Sequence, residues 1–391
     1  MLEQNKTAAI IGWGHTQFGK HHDKDLESLL IEVITEALTH AQVSGSEIDE
    51  VVLAHFNAGF SEQDFTSSLV LQHPQLPRFT PVTRVENACA TGTAAVHQGA
   101  RAIESGQAKT VLVVGVEKMT HLANAEVGRI LGRASYVKEE QDYGSFVGVF
   151  AEIARQYQAK YGDCSEALAK IAVKNHHNGL SNPHAHLRKA VELPFCQHSS
   201  PTNPVIVAPL KRSDCSPVSD GAAAIVLKTA EECASAPRKI RLIARSQVND
   251  YMPMSRRDMS QLSGCKEAWK QALEKAQLSI WDLDLIETHD CFTIAELMQY
   301  EAMGLAAPGK GKEALDQGTV YATGKLPVNL SGGLKSKGHP IGATGVSMHV
   351  MAAKQLANEA GEMQKPNSKR AGVFNMGGTG VANYVTILEQ A

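Results

Sequence analysis

The chain reads as an α/β protein made of two duplicated mixed-sheet halves, the first interrupted by a long insertion. Three observations predict this. Short apolar segments rich in Val, Ile and Ala alternate with amphipathic helices. The same order of elements, and several of the same residues, recur in the second half of the sequence. Of 391 residues, 43% are hydrophobic but only 5% are aromatic, so the core is built from Ala, Val, Ile and Leu, which suits buried strands under closely packed helices.

The first half opens on a buried strand at Ala8-Ala-Ile-Ile-Gly-Trp-Gly. Leu26 to Gln42 follows as a helix whose apolar face is Leu29, Leu30, Val33, Ile34 and Leu38, and a second strand covers Glu50 to His55. The order returns late in the chain as strand Lys239 to Ala244, helix Cys265 to Gln277 and strand Leu285 to His289. Residues repeat with it. Ala41-Gln-Val-Ser44 and Asp49-Glu-Val-Val match Ala276-Gln-Leu-Ser279 and Asp284-Leu-Ile-Glu at one constant offset, and Ala90-Thr-Gly92 is echoed by Ala343-Thr-Gly345. Each half ends alike, on Gly221-Ala-Ala-Ala-Ile-Val-Leu227 and on Gly380-Val-Ala-Asn-Tyr-Val-Thr-Ile-Leu388. The expected units are 1–120 with 215–235, an inserted segment 121–214, and 236–391, giving two mixed sheets with helices between and outside them. A long insertion of this kind is expected to cover the substrate on the active face.

A formal net charge of -3 excludes a generally basic nucleic-acid binder. Seven cysteines without a C-x-x-C pair read as reduced thiols, which points to an intracellular, cytoplasmic protein. The opening residues lack a secretory leader, no apolar run reaches about 18 residues, and the final Leu388-Glu-Gln-Ala391 is no peroxisomal address. Membrane spanning is therefore not expected.

Four separated signatures carry the chemistry. Cys89, in Asn87-Ala-Cys-Ala-Thr-Gly92, stands at the start of a small-residue helix, where free N–H groups and the helix dipole are expected to lower its pKa and make it a nucleophile. His339, in Gly338-His-Pro340, precedes the duplicated helix and is placed to take the thiol proton. In His289-Asp-Cys291-Phe292, which ends a strand, Cys291 is a second acid/base, His289 a donor to a developing oxyanion, and Asp290 a cap for the following helix. In Asn375-Met-Gly377-Gly-Thr-Gly380, which reads as a turn after the strand Gly372 to Phe374, the N–H of Gly377 pairs with that of Cys89 to cradle a thioester oxyanion. His176, His177, His184 and His186 are read as locally hydrogen-bonded side chains of a proline-containing loop, and no metal is expected.

Together the Cys89 motif, Ser219-Asp-Gly-Ala-Ala-Ala and Ser331-Gly-Gly-Leu-Lys-Ser-Lys-Gly-His-Pro-Ile-Gly-Ala-Thr-Gly345 resemble a thiolase, and within that family the sterol-carrier-protein-2 type, over essentially the whole chain. The resemblance implies a five-layered αβαβα fold, a homodimer or homotetramer, and coenzyme A as substrate with no bound cofactor. It makes Cys89 the acylated nucleophile, His339 its activator and Gly377 with Cys89 an oxyanion hole. Most thiolases carry Asn-Glu-Ala-Phe and Cys-x-Gly where this chain has His289-Asp-Cys-Phe292 and Asn375-Met-Gly377. That departure, typical of the sterol-carrier-protein-2 type, gives the second acid/base role to Cys291. The implied reaction is reversible thiolytic cleavage, or Claisen condensation, of 3-oxoacyl-CoA through an acyl-cysteine. Ser216 is the best match for a pantetheine contact, His176 lies in a stretch that matches the family near the nucleotide, and Lys211 and Arg212 are read as phosphate contacts or a solvated face. Two rivals remain at this stage: a carbon–carbon lyase acting with a small accessory protein, and a non-catalytic subunit of an acyltransferase complex.

Overall fold

The computed structural model describes residues 7–229, 233 and 236–391. In the N-terminal half, β1 (Ala8–His15), α1 (Leu26–Ala41), β2 (Glu50–Ala54), β3 (Val82–Val85), α2 (Thr91–Glu104) and β4 (Thr110–Glu117) precede the insertion. The insertion has its own structure: α3 (Asn124–Gly132), α4 (Val137–Glu140), α5 (Phe146–Tyr161), α6 (Ser165–Leu180), α7 (Leu193–Gln197) and the hairpin β5 (Val205–Val207) with β6 (Leu210–Lys211). β7 (Gly221–Thr229) then closes the first half. The C-terminal half runs β8 (Ile240–Asn249), α8 (Ser263–Ala276), β9 (Leu285–Glu287), α9 (Thr293–Ala302), α10 (Lys312–Asp316), α11 (Gly333–Lys337), α12 (Ile341–Leu356), β10 (Arg370–Gly377) and β11 (Ala382–Gln390).

The duplication extends to hydrogen bonds. α1 and α8 each end on a left-handed glutamine, Gln42 at φ 55°, ψ 42° and Gln277 at φ 56°, ψ 42°. A capping box follows in both copies, Ser44 with Glu47 and Ser279 with Asp282. The Asp49 carboxylate accepts the N–H groups of Lys109 and Thr110 at 2.8 and 2.9 Å, and Asp284 accepts those of Lys369 and Arg370 at 2.7 and 2.9 Å.

The two expected mixed-sheet halves are both present and join at one edge, so that their strands run as one nine-stranded sheet in the order β3-β2-β4-β7-β1-β8-β11-β10-β9. The seam is short. β1 and β8, the first strands of the two copies, pair antiparallel only at Ala9–Arg241 and Ile10–Ile240, so the copies meet edge to edge. Outward from that seam the halves match: the second strand is antiparallel to the first and third, and the fourth runs parallel to the third.

Residue alternation along the strands builds the layers. Ala9, Ile11, Val51, Leu53, Leu112 and Val114 face α1 and pack on Leu29, Leu30, Val33 and Ile34, while Ala8, Ile10, Val52, Val111 and Val113 face the opposite core with Ala95 and Val96 of α2. α12 packs against β4 and β7 on one side and β9 and β10 on the other, and α8 covers β8 and β11. α2 and α12 are thus the middle layer, held between the two halves of the sheet.

That middle layer is possible because of two glycines. A Cβ on Gly92 would lie 2.6 Å from the backbone N of Gly345, and one on Gly345 would lie 2.2 Å from the N of Thr93. The echoed Ala-Thr-Gly segments are therefore the crossing point of the two helices. It brings the loop before each helix, one holding Cys89 and the other His339, to a common centre.

Candidate active site

Cys89 sits on a strained turn, not on the helix itself. Ala88 has φ +49°, in the left-handed region that a β-carbon disfavours, and α2 begins only at Thr91. The Thr91 hydroxyl accepts the N–H of Asn87 at 2.8 Å and donates to the carbonyl of Ala88 at 2.6 Å, which pins the turn. Phe56, Phe60, Met119 and Ile341, with Val127 and Ile130 of α3, pack around the cysteine, so the insertion supplies part of its apolar wall.

This wall reverses one expectation. The thiol is not acidified by its place before a helix; burial pushes its pKa up to about 12, against the opposing pull of the Gly378 N–H, with the Glu117 and Glu86 carboxylates adding to the rise. Desolvation outweighs the helix dipole because Cys89 is only 6% exposed. The thiol is therefore protonated at rest and needs a base at the moment of attack.

His339 is supplied by the loop between α11 and α12. Gly338 before it has φ +112°, and a Cβ there would be 2.6 Å from Ser219 Oγ, so the turn requires glycine twice over. The sulfur of Cys89 and one ring nitrogen each of His289 and His339 lie within 4.8 Å of one another. The two rings meet edge to face, with centroids 5.1 Å apart. Burial, with Lys337 contributing, holds His339 down at about 3, and burial with the neighbouring His339 holds His289 well below the usual histidine range. Both imidazoles are neutral. The Nε2 atom of each is buried without a hydrogen-bond partner among the described residues.

His289 follows β9, which stops at Glu287 because Thr288 to Phe292 turn away toward α9. Gln299 of α9 clamps the turn: it accepts the His289 N–H at 3.2 Å and donates to the His289 carbonyl at 2.7 Å. Cys291 is 3% exposed; burial first, then the nearby Cys89 and Asp290, raise its pKa well above the ordinary thiol value. It is a protonated thiol, suited to giving a proton rather than attacking.

Asp290 does not cap α9. It accepts the N–H groups of Leu334 and Lys335 at 2.6 and 3.0 Å, capping α11 instead, and so ties the His289–Phe292 turn to the segment that leads into His339. Beneath it, Asn175 of α6 donates to Asp290 at 2.7 Å and to Glu296 at 2.6 Å, and Lys174 reaches Glu296 at 2.8 Å. Burial, with the Glu296 carboxylate adding, lifts the Asp290 carboxyl above the usual carboxylate range. The insertion thus both lines the Cys89 pocket and carries the polar support under Cys291.

Asn375 and Gly377 belong to β10, which runs past the expected strand end at Phe374; the turn follows at 378–381, where the Val381 N–H donates to the Gly377 carbonyl at 3.0 Å and joins β10 to β11 as a hairpin. The N–H of the next residue, Gly378, meets the Cys89 sulfur. Asn375 itself is a central residue that sequence reasoning passed over: its amide nitrogen donates to the Cys89 carbonyl at 3.0 Å and lies 2.9 Å from His289 Nδ1. The available signal was its replacement of the cysteine that most of the resembling family carries there.

Of the coenzyme A contacts expected from sequence, Ser216 lies at the site, its N–H donating to the Cys291 carbonyl at 3.0 Å. Arg212 is exposed. Lys211 is not on a solvated face: it is 6% exposed and lies 3.4 Å from Asp214. His176 is likewise held inside, on α6 rather than in a loop, with Nδ1 bonded to the Lys189 carbonyl at 2.8 Å. His184 and His186 bind separate partners, Lys354 at 3.2 Å and Ser219 at 2.8 Å.

A buried thiol, two neutral histidines beside it with unpartnered Nε2 atoms, and a second protonated thiol on a duplicated, layered α/β frame define a covalent acyltransferase. Comparison with known proteins identifies its kind. Residues 8–231 match the thiolase N-terminal domain and residues 246–390 the thiolase C-terminal domain-like family, and the chain belongs to the thiolase family. It is 35% identical to an acetyl-CoA acetyltransferase of Methanothermobacter thermautotrophicus, over 98% of this chain and 100% of that one. It is 32% identical to sterol carrier protein 2 of Oryctolagus cuniculus, over 95% of this chain and 70% of that one. Among solved structures the fold resembles the Ltp2-ChsH2(DUF35) aldolase (TM-score 0.84, 22% identity, 99% of each chain) and human mitochondrial 3-ketoacyl-CoA thiolase (TM-score 0.76, 17% identity, 100% of each chain). The chain is an enzyme, a thiolase, and coenzyme A enters it as substrate.

Proposed function

We propose that this thiolase transfers an acyl group between Cys89 and coenzyme A, cleaving 3-oxoacyl-CoA to acetyl-CoA and a shortened acyl-CoA or running the condensation in reverse. In cleavage, His339 Nε2 takes the Cys89 proton as the sulfur attacks the ketone carbon. The carbon–carbon bond then breaks, its electron pair leaves as the acetyl-CoA enolate, and the Cys291 thiol protonates that carbon while His289 donates to the enolate oxygen. Coenzyme A next attacks the acyl-cysteine and carries the acyl group away. The observation that carries this reading is the convergence of Cys89, His289 and His339 within 4.8 Å, each from a different loop.

A cavity of about 600 Å³ beside the Cys89 turn, bordered by Phe56, Ala88, Met252, Gly377 and Gly378, supports its use by the acyl chain. Incubation with acetyl-CoA, followed by mass spectrometry of the Cys89 peptide, tests the nucleophile. An acetyl adduct that is lost in Cys89→Ala is expected; an unmodified chain, or an adduct that persists in the variant, would overturn the assignment.

The aldolase with a DUF35 partner raises a second reading, aldol-type cleavage of CoA thioesters with a small accessory protein. Such cleavage passes through no acyl-cysteine, and the full Cys89, His339 and Cys291 set favours acyl transfer. For assembly, β3 is an edge strand with unpaired backbone groups, and Phe79 and Phe65 nearby are 85% and 71% exposed, which supports a homodimer formed through this edge. Light scattering on the purified protein reads that directly. A cytoplasmic location is supported by cysteines that form no disulfide among the described residues.

A further inference from the structure

We propose that Asn375 is a positioning residue that fixes the tautomer of His289, so that the two buried imidazoles turn opposite chemistry toward the same centre: His289 an Nε2–H donor, His339 an Nε2 lone pair. The proposal rests on the acyl-transfer reading of the site.

Every group of the Asn375 amide is committed. A carbonyl oxygen only accepts, so the atom 3.0 Å from the Cys89 carbonyl must be the amide NH₂. The amide oxygen then faces the Thr93 hydroxyl, which donates to it at 2.9 Å. The same NH₂ lies 2.9 Å from His289 Nδ1. An amide nitrogen has no lone pair to offer, so Nδ1 must accept, and a neutral ring then carries its proton on Nε2.

His339 is wired the other way. The Thr344 hydroxyl gives its hydrogen to the Pro340 carbonyl at 2.8 Å and lies 2.7 Å from His339 Nδ1. That oxygen accepts the Nδ1 proton, and the lone pair falls on Nε2. One ring is left as donor and the other as base, and neither Nε2 has a partner among the described residues to compete with the substrate. Space for this wiring comes from the crossing helix, since a Cβ on Gly345 would lie 2.4 Å from the Asn375 oxygen.

A second consequence concerns metals. Cys89, His289 and His339 are close enough together to hold a soft divalent cation, but a metal needs a lone pair from each ligand, and the Asn375 bond puts a proton on the nitrogen that His289 would use. An aspartate at 375 would accept from Nδ1–H, as carboxylates do behind zinc-bound histidines, and free that lone pair.

The experiment uses Asn375→Asp, Asn375→Ala and the native protein. Thiolysis of acetoacetyl-CoA should fall roughly 100- to 1,000-fold in both variants, the range for removing an oxyanion donor. Alkylation of Cys89 by iodoacetamide should continue in both. Micromolar Zn²⁺ should block that alkylation in Asn375→Asp, reversibly with EDTA, and leave the native protein reactive. Equal Zn²⁺ protection of native and Asp proteins, or native-like thiolysis by Asn375→Asp, would overturn the proposal. On the native protein, which needs no variant to fold, ¹⁵N spectra of the histidine rings, assigned by loss of signals in His289→Gln, should show a protonated Nε2 and an unprotonated Nδ1; the reverse pattern overturns it. If that pattern holds while acetyl-CoA fails to label Cys89, the acyl-transfer reading falls and the tautomer assignment stands.

Discussion

The sulfur of Cys89 illustrates how a residue's chemistry is decided by what surrounds it. Its sequence context, a small-residue helix start, argues for a thiolate, yet the apolar wall of Phe56, Phe60, Val127 and Ile130 raises its pKa instead. In the proposed acyl transfer, activation is therefore concerted with His339. Cys291, buried and protonated beside it, is argued as the proton donor to the departing carbon. In Cys291→Ala, acetylation of Cys89 by acetyl-CoA should survive, because that half-reaction needs no proton on carbon, while cleavage of acetoacetyl-CoA should fall by roughly 100- to 10,000-fold, the usual worth of a general acid. Equal cleavage rates would refute the role. Both cysteines are legible in sequence; their protonation states are not, since burial is a property of the packed chain.

Among elements, the crossing of α2 and α12 matters most. The duplication was readable from the echoed Ala-Thr-Gly segments, and the structure gives the reason for their glycines: each helix backbone occupies the space that a Cβ of the other would need. Gly345→Ala should destabilise the fold by about 3 kcal/mol, the upper end for overpacking, because the atoms it meets are the Thr93 backbone and the Asn375 amide rather than a pliable side chain. Gly128→Ala in α3 is the contrast. A Cβ there meets nothing within 4 Å, so the change should be neutral or add about 0.5–1 kcal/mol of stability. Denaturant midpoints of the two variants check both statements, and a similar midpoint shift in each would count against the crossing argument. The insertion was readable as a segment but not in its contacts, because α6 reaches Asp290 and Glu296 across more than one hundred residues of sequence, through Asn175 and Lys174.

For the molecule as a whole, buried histidines set the response to acid. Burial lowers His176, His184 and His349 to about 4 each. In the unfolded chain they titrate near 6.5, so between those values the unfolded state binds more protons and stability rises with pH. Their contribution is fully present above about pH 6.5 and is lost as pH falls toward 4. Three such groups together imply a slope of about 4 kcal/mol per pH unit at its steepest. Urea midpoints measured from pH 7 to pH 5 should drop steeply, and a flat profile over that span would contradict the burial argument.

Sequence by itself determined the duplicated α/β frame, the four reactive loops and the family, because apolar periodicity and short motifs are local and survive in one dimension. Tertiary structure alone decided how the two copies join, at a two-pair seam between β1 and β8, and that Asp290 caps α11 rather than α9. It also decided that Lys211 is buried beside Asp214, and that Asn375 faces His289. The physical reason is common to all four. Each depends on which groups from distant segments are brought together and removed from water, and desolvation and hydrogen-bond pairing are fixed only when the whole chain has packed.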